Sequence, residues 1–258
     1  ARRGDAAADT LFRRPAPTSV AMPTWSAPTL AATALIAYYV FYGLRGALGD
    51  DTAFPDAVKP VKITYVQGLG YHMLMDACFM IGVVVNDIAH VMMPFFVAAM
   101  LVVVYSQCII DDLPGAAPAG AFALVFAYLA RGAPVWEPIK WNLATIFYSL
   151  QGLLILLVGI AMLFGDDAVI PEQMKPLNSS QVKFVGTTEL TLSAYLFGSI
   201  LTGHAQAMQP FCALFMLVAL VLHAVIGDWE GCPLIVVLAM AHLCLGLFWK
   251  GKDEAKKQ

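Results

Sequence analysis

The sequence predicts an all-α integral membrane protein made of two tandem four-helix transmembrane bundles, about eight spans in all. Four observations carry this expectation. Hydrophobic residues make up 60% of the chain and charged residues 13%, whereas soluble domains carry about 25% charged and about 45–50% apolar residues. Several segments of about 18 or more residues are nearly free of charge, which is the bilayer-spanning signal. The short alternating strands of a membrane barrel are absent, so helices must satisfy the backbone in lipid. Finally, the chain repeats itself.

Shifting the sequence by 116 residues aligns 25–131 with 141–247 without a gap. Trp25 falls on Trp141, Gly43 on Gly159, Gly70 on Gly186 and Gly82 on Gly198. The run Gly49-Asp50-Asp51, Pro55 and Lys59-Pro60 recurs as Gly165-Asp166-Asp167, Pro171 and Lys175-Pro176. Pro94-Phe95, Asp112 and Gly115 recur as Pro210-Phe211, Asp228 and Gly231. A chance likeness of two apolar stretches would match Leu, Val and Ala. These matches are residues that set backbone geometry.

The elements follow in order. Residues 1–26 form a polar, Arg- and Pro-rich extramembrane tail. The first repeat covers 27–131 and the second 143–249, joined by a linker at 132–142, with a polar tail at 250–258. In each copy, helix A (27–48; 143–164) ends at a C-capping glycine followed by a carboxylate pair. A loop of about 15 residues leads to helix B (66–87; 182–203). Pro94 and Pro210 sit at the first turn of helix C (94–111; 210–227). An Asp-to-Gly turn opens helix D (117–131; 233–249), which is short and rich in small residues in the first copy.

An even span count per copy makes the repeats parallel. Both termini and the linker then share one face, which holds ten of the fifteen Lys and Arg residues. The opposite face carries Asp50, Asp51, Asp56, Asp111 and Asp112 with their second-copy partners. The positive-inside bias puts the termini on the stromal or matrix side. Turn chemistry and solvation account for the acidic loops more simply than a Ca²⁺ site or a basic partner. The start at Ala1 fits an imported organellar protein after presequence removal, or a truncated chain. A tail of this composition needs other subunits to hold it. Net charge is −3, giving no basic balance for nucleic acid. The five cysteines lack C-x-x-C spacing, and most lie in apolar helices.

Polar groups at membrane depth are the candidate functional residues. His72 and Asp76, at i and i+4 on helix B, share a face as a proton relay, a cofactor ligand or a plain hydrogen-bonded pair. Glu189 on the second helix B falls opposite Met73. His223 falls opposite Gln107, His242 opposite Phe126, and His204 in the turn opposite Ile88. A transmembrane histidine can ligate chlorophyll magnesium or haem iron, or simply pack with a hydrogen bond. His223, His242, His72 and His204 are therefore candidate chlorophyll ligands, and Asp76 and Glu189 a candidate intramembrane polar site. No nucleophile elbow, phosphate loop, H-E-x-x-H or dinucleotide fingerprint occurs.

The second copy resembles the DoxX-like family of small four-helix membrane proteins. The likeness lies in Gly159 to Gly165 before Pro171, in Val185-Gly186-Thr187-Thr188-Glu189-Leu190, similar to a Gly-x-x-Glu-Leu pattern, and in Leu222-His223-Ala224 before a Gly-Asp turn and a Pro-led last helix. It covers about one hundred residues, and the first copy departs from it at Met73. The resemblance implies a four-helix bundle per copy. It implies no single reaction, although some members are linked to quinone-dependent oxidation.

The expectation for function is a non-catalytic subunit of a large organellar energy-transducing complex, packed against other subunits and membrane lipid. Its crevices would hold chlorophyll, carotenoid or lipid. Acidic lumenal loops, the tail and aromatic-rich helices favour a thylakoid photosystem over a mitochondrial respiratory or ATP synthase complex. The paired Glu-x-x-His pattern of antenna proteins is missing. A quinone-handling oxidoreductase subunit using His72, Asp76 or Glu189 is the alternative, and a small-molecule transporter a third reading.

Overall fold

The structure, a computed structural model, describes residues 25–133, 138–139 and 141–247. The two polar tails and part of the linker lie outside the described residues. Among the described residues the chain forms eight α-helices and no strand: α1 (Ala27–Ala47), α2 (Ile63–Val85), α3 (Ala89–Ile109), α4 (Leu113–Leu129), α5 (Leu143–Leu163), α6 (Ser179–Leu201), α7 (Ala205–Ile226) and α8 (Cys232–Leu247). Seven helical segments are long and apolar enough to cross a membrane. At 1.5 Å rise per residue, about 20 residues match a hydrocarbon core of about 30 Å.

Local chemistry sets the ends. Ser26 and its repeat mate Asn142 cap α1 and α5, each accepting from a threonine N–H, Thr29 and Thr145. Asn178 and Gln181 close a reciprocal capping box on α6. Asp112 caps α4 through the Gly115 N–H. The loop after α1 holds two short 3₁₀ turns, Asp51–Ala53 and Asp56–Val58. Two of its three carboxylates are engaged locally. Asp50 accepts from Arg45 and Thr52, and Asp56 pairs with Lys59 at 2.7 Å, as Glu172 does with Lys175.

Two boundaries differ from the sequence expectation. Helix C begins five residues earlier, so Pro94 and Pro210 lie inside α3 and α7 rather than at their first turns. Helix D of the first copy begins at Leu113 behind its aspartate cap and reaches Gly132 with a terminal 3₁₀ turn. It is thus a full-length span, whereas the described part of α8 has 16 residues.

The expected pair of separate four-helix bundles is replaced by one interlocked bundle. Helices pair as α1 with α2, α3 with α4, α5 with α6 and α7 with α8. The extensive contacts between these hairpins cross between copies, α2 against α7 and α3 against α6. Within a copy, the second and third helices barely touch. Glycines make the crossing possible. A Cβ on Gly82 would lie 2.5 Å from the Phe211 ring and 2.8 Å from Met208, and one on Gly198 would lie 2.7 Å from Phe95 and 2.8 Å from Met92. The two contacts of one glycine are those of the other shifted by the repeat. In lipid, where apolar burial does not drive association, such close packing holds helices together.

The inner helices α2 and α6 are 67% and 61% buried over their spanning windows, against 28% for α1 and 22% for α4 and α5. The outer helices present Phe41, Leu124, Leu154, Leu157 and Val237 outward, as an apolar belt facing lipid or neighbouring subunits does. Trp25 and Trp141 stand exposed at the same end of the bundle, where aromatic rings favour a membrane interface.

Candidate functional site: two cavities across an internal twofold

Repeat-equivalent residues touch each other at two heights between α2 and α6. Tyr65 donates its O–H to the carbonyl of Gln181 at 3.0 Å. Further along, Phe79 stacks on Tyr195 at 5.5 Å and 14°. Each pair is separated by 116 residues. A point that meets its own repeat mate lies on the symmetry axis, so a pseudo-twofold runs along the bundle between α2 and α6. Around it, Gln181 donates to the carbonyls of Val58 and Pro60 at 2.8 and 2.9 Å, tying the first loop to the second half.

The axis relates two interior cavities that reach toward the loop end. The first half holds an inner chamber of about 90 Å³. It shares Tyr38, Phe54, Met73, Gln107 and Phe184 with an outer chamber of about 320 Å³ that extends to Thr52, Asp112 and Pro118. The second half holds a cavity of about 230 Å³. Its lining residues Ile170, Val185, Ala219 and Ile235 are the repeat mates of Phe54, Leu69, Val103 and Ala119 in the first.

The two cavities differ in chemistry. In the second, His72 Nε2 faces Glu189 Oε1 at 3.8 Å, too far for a direct hydrogen bond. His223 lines the same space, and the Asp228 carboxylate accepts from its Nδ1 at 2.8 Å, which leaves Nε2 as its other ring nitrogen. Gly231 makes this contact possible, since a Cβ there would lie 2.6 Å from His223 Nδ1. The polar groups that line the first cavity include Asp76, Ser106, Gln107 and Thr191, at 5%, 1%, 7% and 2% exposure, together with Thr187 and Thr188. Ser106 Oγ, Gln107 Oε1 and Thr191 Oγ1 are buried without a hydrogen-bond partner. Each such orphan costs about 1–3 kcal/mol unless something else satisfies it.

The sequence candidates divide accordingly. His72 and Asp76 do not act as a pair: His72 opens into the second-half cavity and Asp76 into the first. Residues four apart on a helix are offset by about 40°, enough on a central helix to face different spaces. Glu189 and His223, unlinked in the sequence, meet His72 in one cavity. His204 begins α7 and bonds Thr202 through Nδ1 at 3.2 Å. His242 is fully buried in the slot that Phe126 fills in the first half, with Nδ1 against Gln209 Oε1 at 2.6 Å and rings of Phe147 and Tyr148 around it. Its Nδ1 is satisfied there, while its Nε2 is buried without a hydrogen-bond partner.

These histidines fit a tetrapyrrole poorly. Cavities of about 300–1,000 Å³ hold drug-sized ligands. The space beside His72 and His223 measures about 230 Å³ and is smaller than a chlorophyll ring. His242 is sealed. Among the described residues no group of three or more metal-ligating side chains forms.

Sequence reading missed Ser106 and Thr191, and saw Gln107 only as the mate of His223. The signal was present in the offset, because Leu222 and Met75 stand at the mates of Ser106 and Thr191. No family model matches the chain, and no curated protein or solved structure matches it either. The likeness of the second half to DoxX-like bundles rests on its motifs alone.

Proposed function

We propose that the chain is a non-catalytic, eight-crossing integral membrane subunit of a large organellar energy-transducing complex, and that its interior holds an amphipathic, lipid-soluble molecule. The observation that carries this reading is the inversion of the bundle. The outer belt is apolar, while the polar side chains of the inner helices gather on two cavities reaching the same end. An apolar belt suits neighbours and lipid tails, and a polar-tipped cavity suits a headgroup. We place the subunit in the thylakoid membrane with its termini on the stromal side, on the strength of the basic ends and acidic loops. The mitochondrial inner membrane is the competing compartment.

Purification of the native assembly under mild detergent tests this. A high-mass complex with chlorophyll absorption supports the reading as stated. Haem bands move it to the mitochondrion. A chain that migrates alone refutes the subunit role.

A second reading, a quinone-linked oxidoreductase subunit, is favoured by one observation: Glu189 and His72 face each other across a gap within an apolar cavity that His223 also lines. Under it, Glu189→Gln and His72→Phe abolish quinone reduction while the complex still assembles. Turnover that survives both changes removes this reading.

A further inference from the structure

We propose that the first-half cavity binds a membrane amphiphile whose headgroup is uncharged and carries several hydroxyls. This rests on the ligand-holding reading above, and names the ligand class and its site. The second half supplies the control that carries it. There, Leu192, Leu222 and Met75 occupy the places of Asp76, Ser106 and Thr191. That half packs with the same helix pairs and the same glycine sockets. The fold therefore requires none of the three polar groups, yet all are more than nine-tenths buried on one cavity.

Their chemistry defines what they accept. Ser106 and Thr191 hydroxyls can each donate and accept, and Gln107 Oε1 accepts. All three atoms lack a protein partner. The Asp76 carboxyl adds a further polar group on the same wall. A ligand that satisfies this set brings several O–H groups within a small space. No Lys, Arg or His lines either chamber, so a phosphate headgroup would be buried without a counter-charge. A quaternary ammonium has no proton to give these acceptors. The aromatic walls formed by Tyr38, Phe122 and Phe184 suit the junction between headgroup and tails. In this assignment the tails leave past Tyr42 of α1 and Pro118 of α4, which line the outer chamber.

The test uses the full chain, purified and incubated with equal amounts of dioleoylglycerol, a monogalactosyl diacylglycerol and dioleoyl phosphatidylglycerol. Lipid retained after delipidating washes is quantified by mass spectrometry. The monogalactosyl lipid should be held at about one per chain, at least about tenfold over the phosphatidylglycerol. Retention of dioleoylglycerol in its place, with its single hydroxyl, overturns the several-hydroxyl assignment. Thr191→Val, nearly isosteric, and Asp76→Leu, the residue the second half already uses, should each lower retention severalfold with unchanged helical circular dichroism. Leu154→Ala on the outer belt should not. Equal retention of phosphatidylglycerol, or full retention by both cavity variants, overturns the headgroup assignment alone. A wild-type chain that holds no lipid at all overturns it together with the ligand-holding reading.

Discussion

Replacing Gly70 by alanine should be the most damaging single methyl addition to the bundle. A Cβ there would lie 2.2 Å from the backbone N of Ala47, 2.4 Å from the carbonyl carbon of Gly46 and 2.7 Å from the Gly43 oxygen. Non-bonded heavy atoms settle at about 3.5–4.0 Å, so α1 must withdraw by more than about 1 Å. All three obstacles are backbone, and no side chain can swing aside. A radial gap of about 0.5–1 Å already forfeits a quarter to a half of a dispersion well, and overpacking costs about 1–3 kcal/mol in soluble cores. We expect Gly70→Ala to cost about 3 kcal/mol, the top of that range. The repeat mate is an internal comparison. At Gly186 the nearest atoms are Met162 Cβ at 2.7 Å, the Gly159 oxygen at 2.9 Å and the Leu163 nitrogen at 3.2 Å. Relief there needs a smaller movement, and Gly186→Ala should cost about half as much. Unfolding in mixed micelles by SDS titration, followed by tryptophan fluorescence, measures both. A Gly70→Ala chain as stable as wild type, or a Gly186→Ala chain weaker than Gly70→Ala, refutes the reasoning.

Tyr39→Phe and Tyr195→Phe each remove one hydroxyl of a buried pair at 3.0 Å; each should cost about 1 kcal/mol, and a double-mutant cycle should find the double change no worse than the sum. Gln181→Leu orphans the carbonyls of Val58 and Pro60; about 2 kcal/mol should be lost, with faster protease cleavage within 48–62. The Asp50 carboxyl is held below its ordinary value of 3.8 by the Thr52 hydroxyl and then by Arg45. A depressed folded value means that its contribution is fully present above 3.8 and disappears as pH falls through the folded value. Hydrogen exchange in the loop after α1 should therefore be protected unchanged from neutral pH down to the ordinary carboxylate range, rising only below it, and Asp50→Asn should remove this pH dependence.

Much of the architecture was legible because turns and caps are written locally. The Gly-Asp-Asp run and the Lys-Pro pair place the loop ends within a few residues, and Asp112 with Gly115 marks the start of α4. Pro94 misled because proline is commonest in a first turn, whereas α3 carries it one turn deeper. The larger miss was the partner of each inner helix. Sequential helices are usually neighbours in space, which favoured closed four-helix units. Nothing in the period of α2 distinguishes a face for α3 from a face for α7. Only Gly82 and Gly198, read as sockets for aromatic residues at a matching distance in the other copy, hold that information. The same limit applied to the candidate site. His72 and Asp76 share a nominal face, and the central position of α2 sends them into different cavities.

The contact of Tyr65 with Gln181 and of Phe79 with Tyr195 has a consequence for divergence. In a dimer of identical subunits, a residue on the twofold meets a copy of itself, so Tyr can only face Tyr and Phe only Phe. A covalently fused pair is free of that restriction. Gln181 can serve as an anchor for the opposite loop while Tyr65 caps its carbonyl, and Tyr195 can give its hydroxyl to Tyr39 while its ring lies on Phe79. Two unlike residues share one geometric position, and the two cavities flanking the axis can hold different contents. Joining the halves into one chain thus turns a symmetric container into one with two separately editable chambers.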